Sequence, residues 1–212
     1  LENEIQHDPC ELLEMPKIGM KLPEVLEVEE IDALIKGIDI SKQEGYRNRA
    51  IIETLYSCGL RVSELVNLKF SDLYFNDGFI RVLGKGTKQR LVPVSKQVEV
   101  EINLYCKYMR DHLIIKAGNE NFIFLNRRGS KLSREMVFML IKRLAHQIGL
   151  QKTISPHTFR HSFATHMIEG GANLRAIQEM LGHESITTTE IYTHLDQRFL
   201  RDAILTYHPR NK

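Results

Sequence analysis

The sequence predicts a mainly helical α+β fold with one small antiparallel three-stranded β-sheet. Three observations predict it. Apolar residues recur at intervals of three and four over most of the chain, as in Val28, Ile31, Leu34 and Ile35. Between residues 73 and 94 the periodicity changes to that of strands. An Asn76-Asp77-Gly78 turn divides the first two strand-like runs, which is the local chemistry of a hairpin.

Taken in order, residues 1–23 hold Pro9, Pro16 and Pro23 without sustained periodicity, and read as a linker or the remnant of a preceding domain. A first helix is expected from Glu27, stopped by Gly37. A second covers Tyr46 to about Cys58, with Ala50, Ile51, Thr54 and Leu55 inward and Gly59 as its cap. A third begins near Arg61 and presents Val62, Leu65, Val66 and Leu68. Leu73-Tyr74-Phe75 and Phe79 to Leu83 form the hairpin, and Arg90 to Val94 a third strand after the loop GKGTKQ. Three strands need a helical layer beneath them to be stable. A long amphipathic helix is expected over 96–116, a small extra strand at Phe122-Ile123-Phe124, and a capped helix from Ser133 to Gly149. The last helix, about Asp196 to Tyr207, places Phe199, Leu200, Ala203 and Ile204 on one side and ends in a polar tail, HPRNK.

The 212 residues are 42% hydrophobic and 26% charged, enough to bury a core in one or two domains. No apolar run approaches the length of a membrane span, and the first residues do not read as a signal peptide. Cys10, Cys58 and Cys106 are far apart and form no CxxC, so neither a zinc ribbon nor a disulfide scaffold is indicated. That usage suits an intracellular chain. A net charge of +2 permits nucleic-acid binding through a local patch without arguing for it.

The chemistry concentrates in SPHTFRHSFATHMIEGGANLRAIQEMLGHESITTTEIY, residues 155–192. Ser155 is a good N-cap, and Pro156 fits the first helical position. His157 and Arg160 then share a face in the first turn, where unpaired N–H groups and the helix dipole favour an anion. An imidazole, a guanidinium and a helix start aimed at one point make a phosphate site. His183 and Tyr192 follow, and could reach the same phosphate if the chain folds back; alone, each reads as a loop histidine and a core aromatic. Arg61, in CGLRVSEL, is either a phosphate clamp or a surface arginine paired with Glu64 or Asp72. Lys85 lies between two glycines, with Lys88 and Arg90 close by, so the hairpin tip is basic. Lys85 reads as a solvated turn lysine, as a contact to DNA backbone, or as a general acid if it reaches a leaving oxygen. His157 and His161 have zinc-ligand spacing, but no glutamate lies between them and Arg160 repels a cation. His161 and His166 read as structural or DNA-facing.

Together CGLRVSEL, GKGTKQRLVPV, HTFRHSFATHMIEGGANLRAIQEMLGH and SITTTEIYTH resemble the catalytic domain of tyrosine site-specific recombinases, the phage integrase family, and within it the Xer type. The motifs occur in family order from about residue 20 to the end. By this resemblance Arg61 and Arg160 are the two active-site arginines, His157 the histidine preceding the second, Lys85 the hairpin lysine and Tyr192 the nucleophile. His183 takes a position held by His or Trp in relatives, and Glu64 supports the first arginine. The resemblance implies a catalytic domain over 24–195, lacking the N-terminal helical domain that closes around DNA. The segment 196–212 is expected to dock on a neighbouring protomer through Phe199, Leu200 and Ile204, or to fold back on its own domain.

The set then supports strand cleavage. Two arginines hold the non-bridging phosphate oxygens, with an effect that grows as charge builds in the transition state. Tyr192 attacks phosphorus; a phenol with an ordinary pKa near ~10 needs nearby positive charge or a base, and His157 is the candidate base. His183 donates to phosphate oxygen and Lys85 protonates the departing 5′ oxygen. The resemblance implies a 3′-phosphotyrosine link, reversed by the 5′ hydroxyl of a partner duplex, with neither metal nor other cofactor. The expected partner is double-stranded DNA bearing a recombination site, bound by a homo- or heterotetramer, with the isolated domain a monomer. The expected setting is cytoplasmic, at the nucleoid, in chromosome dimer resolution. Arg134, Lys142 and Arg143 are expected along DNA phosphates or on a solvated face. A mobile-element integrase, a topoisomerase-like nicking enzyme and an idle DNA-binding accessory protein are the other readings.

Overall fold

The computed structural model describes residues 24–84, 89–182 and 194–211, with side chains from Phe199 onward in the last stretch. Helix α1 (Val28–Lys36) buries Ile31, Leu34 and Ile35 and stops at Gly37, as the apolar stripe requires. Helix α2 (Gly45–Ser57) is the central element. Its expected inward residues are buried, but so are Arg47, Ile52, Glu53, Tyr56 and Ser57, so it is enclosed on all sides rather than along one stripe. It packs against α4 (Lys96–Tyr108) and α6 (Pro156–Glu169). Helix α3 (Val62–Asn67) follows after the turn at Gly59, and Leu68 lies just past its end.

The sheet has the order β1-β2-β3, from β1 (Leu73–Tyr74), β2 (Phe79–Leu83) and β3 (Gln89–Pro93), all antiparallel. Ile80 pairs with Val92 and Val82 with Arg90, and all four side chains point to the core. β3 packs on α7 (Leu174–Leu181) and on α8 (His194–Tyr207), the helical layer that three strands need.

Three expectations are corrected. The helix predicted over 96–116 ends at Tyr108, where Met109 leaves helical geometry and a 3₁₀ turn covers Arg110–His112. The break lets Arg110 donate to the carbonyls of Glu120 (2.5 Å) and Phe122 (3.0 Å) and lie over the Phe70 ring. Phe122-Ile123-Phe124 forms no strand; single bridges join Lys69 to Phe122 and Leu125 to Lys131. Finally, the predicted polar tail begins inside the core. His208 is fully buried between the rings of Tyr56 (4.9 Å between centroids) and Phe163 (5.5 Å). Arg210 pairs with Asp32 at 2.6 Å and Glu53 at 3.4 Å. Helix α8 is likewise held by its own chain: Leu200 and Ile204 are 0% and 1% exposed, whereas Phe199 is 43% exposed. Of the three residues assigned to a neighbouring protomer, two therefore belong to this chain's own core.

The buried tail gives a first prediction. Burial, with the charges of Arg210 and His166 adding to it, pulls the His208 imidazole down to about 3. In the unfolded chain it titrates at its ordinary value. Below that value protons bind the unfolded state first, so stability falls as pH drops, by on the order of 2 kcal/mol at pH 5 from this group alone. Burial raises the Glu53 carboxyl, which works in the opposite direction. The difference between the native chain and His208→Asn therefore isolates the imidazole. Thermal unfolding between pH 7.5 and 5 is expected to show a shallower loss in the variant; parallel curves would contradict the burial.

Candidate active site

Two turns bring the site together. The first follows α2, where Gly59 has φ +57° and a Cβ there would meet Phe163 Cδ1 at 2.6 Å. Only glycine fits, on both counts. The chain then extends to Arg61, the N-cap of α3. Glu64, at the third helical position, accepts the Arg61 backbone N–H through Oε2 at 2.8 Å and its Nη1–H through Oε1 at 2.9 Å. This is the reach-back that a glutamate at that position makes to a helix start. The sequence alternative of an Arg61–Glu64 pair is thus present, while Asp72 pairs with Arg81 at 2.8 Å. The pair does not consume the arginine, whose side chain remains 40% exposed.

The second turn ends α7 at Gly182, with φ +67°. The carbonyls that close a helix have no partners within it, and the dipole there favours cations. Three arginines from three other elements supply them in succession. Arg90 Nε donates to the Met180 carbonyl at 2.7 Å, and Arg160 Nη2 to Leu181 at 2.6 Å. Arg61 Nη2 approaches the Gly182 carbonyl at 3.5 Å. Arg160 also donates through Nη1 to the Gly59 carbonyl at 2.8 Å, tying the two turns together. So the first and second arginines, 99 residues apart in the chain, share one pocket.

Charge follows from this geometry. Arg61, Arg90 and Arg160 surround one carboxylate, Glu64, which leaves two positive charges in excess. Burial pulls the Arg160 guanidinium down to about 10, and the charges of Arg61 and Arg90 act in the same direction against Glu64. Burial pushes the Glu64 carboxyl up, but hydrogen bonds and charge from Arg90, with bonds from Arg61, outweigh it and hold the group below the ordinary carboxylate range. At about 10, Arg160 remains a cation at neutral pH. Arg160 has committed two of its five N–H groups to carbonyls, and an anion is what the remaining donors suit.

Helix α6 brings His157 to the surface of its first turn, capped by Ser155, whose N–H donates to Thr158 Oγ1 at 3.1 Å. His161 is exposed, and His166 is buried with Nδ1 at 2.8 Å from the Tyr56 hydroxyl. Burial lowers the pKa of His166, which is structural. Among the described residues no group of three or more His, Cys, Asp or Glu is placed to hold a metal. Arg134, Lys142 and Arg143 lie exposed on α5 (Arg134–Gln147). Lys85, Lys88, His183 and Tyr192 lie outside the described residues.

One assignment is overturned. Arg90 does not lie on a basic hairpin tip facing DNA: it is 6% exposed and grips Glu64 with both Nη atoms, at 2.7 and 2.9 Å. The signal was available in the sequence. Arg90, Val92 and Val94 alternate along one strand face, and a face containing Val92 points inward.

An arginine pair held at the end of one helix, with positive charge in excess, is an arrangement suited to an anion such as a phosphate. The chain belongs to the phage integrase family, whose profile matches residues 24–198. It is a tyrosine recombinase, an enzyme of DNA strand exchange. It is 44% identical over 203 residues to tyrosine recombinase XerD of Staphylococcus epidermidis, covering 96% of this chain and 68% of that protein. Among solved structures it resembles XerA recombinase, with 31% identity, a TM-score of 0.69, and coverage of 90% of this chain and 67% of that one. It also resembles XerH site-specific recombinase bound to a palindromic difH substrate in a post-cleavage complex. There the identity is 31% and the TM-score 0.69, over 88% of this chain and 53% of XerH.

Proposed function

We propose that the active site of this recombinase comprises Arg61, Lys85, His157, Arg160, His183 and Tyr192, with Glu64 in support. The observation that carries this reading is the meeting of Arg61 and Arg160 on neighbouring carbonyls around Glu64, with positive charge in excess. A scissile phosphate between the two guanidiniums supplies the missing anion. The tyrosine oxygen bonds to phosphorus and its proton passes to His157. The bond to the 5′ oxygen breaks, and Lys85 protonates that oxygen. The diester energy is retained in the 3′-phosphotyrosine, so a 5′ hydroxyl from a second duplex can reverse the step. His183 steadies the developing phosphate charge by donating a hydrogen bond.

The biological reading is Xer-like resolution of chromosome dimers, in the cytoplasm at the nucleoid. Similarity to XerD at 44% identity, above the 25% to the integrase of mycobacterium phage Brujita, favours it over a mobile-element integrase. No described helix is long and apolar enough to cross a membrane. The DNA partner is a duplex carrying a specific site, as difH is for XerH, synapsed by four protomers of one or two kinds. Residues 24–195 form the catalytic unit in this reading, with 1–23 a linker or the remnant of a preceding domain. Lys88, Arg134, Lys142 and Arg143 contact backbone phosphates. Of Phe199, Leu200 and Ile204, Phe199 is the one left exposed for a neighbour.

The test is a nicked duplex that lets the short 5′ product diffuse away and strands the covalent complex. Incubation in chelator is expected to give a protein–DNA adduct whose DNA-bearing peptide contains Tyr192. An adduct mapped to another residue, or cleavage abolished by chelator, overturns the reading.

A further inference from the structure

We propose that Arg90 is a positioning residue for strand cleavage, acting through Glu64 on Arg61 and through Met180 on the last turn of α7. The inference rests on the active-site reading above. Arg90 is unsuited to touch DNA, because its Nη1 and Nη2 are engaged with the Glu64 carboxylate and its Nε with the Met180 carbonyl. These partners lie 26 and 90 residues away in sequence, so one side chain ties β3 to both α3 and α7. Gly182 leaves the room for this: a Cβ there would stand 3.1 Å from Arg90 Cδ.

What Arg90 adds is orientation. An arginine three residues from a glutamate and 40% exposed makes a weak and mobile pair by itself. Two further hydrogen bonds from a buried fork fix the plane of the carboxylate, and with it the direction in which Arg61 projects. Fixing the Met180 carbonyl likewise sets the next two, which receive Arg160 and Arg61. A guanidinium displaced by about 1 Å costs on the order of 10²-fold in rate.

The test is a double-mutant cycle in the full chain, read as single-turnover cleavage of the nicked duplex, with DNA affinity and its salt dependence measured beside it. Arg90→Lys keeps the charge and loses the fork. Its cleavage rate is expected to fall about 10- to 100-fold while affinity stays within about twofold. In an Arg61→Lys background the same change is expected to cost less than about threefold, because the residue it acts through is already altered. Arg90→Gln, which still donates to Glu64, is carried alongside in case the lysine variant does not fold. Equal losses in both backgrounds mean that Arg90 serves the fold alone, and overturn the proposal. So does an unchanged cleavage rate with a salt slope reduced by about one, the mark of a lost phosphate contact. Cleavage insensitive to Arg61→Lys itself overturns the active-site reading together with this inference, whereas the first two outcomes leave that reading standing.

Discussion

Replacing Arg160 by glutamine is expected to slow strand cleavage by about 10³-fold or more. DNA affinity should fall by less than about tenfold, since one phosphate among several is lost. The split follows from where the guanidinium sits. Carbonyls of Gly59 and Leu181 hold it at 2.8 and 2.6 Å, so it is oriented before DNA arrives. A donor fixed in advance costs little reorganisation when charge grows on the phosphate. Burial and the neighbouring Arg61 already press its pKa down to about 10, so an approaching dianionic transition state relieves an existing strain of charge. Glutamine can keep one carbonyl contact but brings no charge. Arg160→Lys keeps the charge without the fork that reaches both carbonyls, and is expected to lose about 10²-fold. The measurement is single-turnover cleavage of the nicked duplex beside a binding isotherm for the intact one. A glutamine variant that cleaves within tenfold of the native rate would remove Arg160 from the catalytic set.

The parts of this arrangement differed in how far they could be read from sequence. Helices α1, α2, α5 and α6 and the hairpin were legible because caps, turns and apolar spacing are local signals. Arg61 and Arg160 were legible as residue types within motifs. Their common anchor was not, because the carbonyls of residues 180–182 leave no signature in a sequence. Arg90 was misread because a basic loop beside it suggested DNA, while its strand alternation put it on the inner face with Val92. The same limit explains the tail and the break after Tyr108. His208, Arg210 and Arg110 are polar by type, and only distant partners such as Tyr56, Asp32 and the Phe122 carbonyl make burial favourable. Residue type predicts exposure on average, and buried arginines with fixed partners are the exceptions.

Those partners make Glu64 the position where stability and catalysis meet. Glu64→Gln is expected to destabilise the chain by about 3–5 kcal/mol, the cost of leaving a buried charge without its counter-ion. For a chain of this size that is on the order of 10 °C in the unfolding midpoint. The glutamate side chain is 3% exposed and receives four hydrogen bonds, two from Arg61 and two from Arg90. Glutamine keeps the shape but presents its amide N–H groups to a guanidinium, and three arginines then face one another without an anion. Two consequences distinguish this from ordinary loss of packing. Sulfate or phosphate is expected to raise the midpoint of the variant more than that of the native chain, by occupying the vacated charge. The acid limb should also flatten. In the native chain the Glu64 pKa lies below its unfolded value, so its contribution is present above the unfolded value and is lost as pH falls through the folded one. The variant has no such step. Replacing Glu64 and Arg90 together by methionine should recover part of the stability, since one anion and one cation leave together and the excess of positive charge returns to that of the native cluster. Cleavage should stay low even so, because nothing then directs Arg61. Recovery of cleavage along with stability in that double variant would show that the carboxylate serves folding alone.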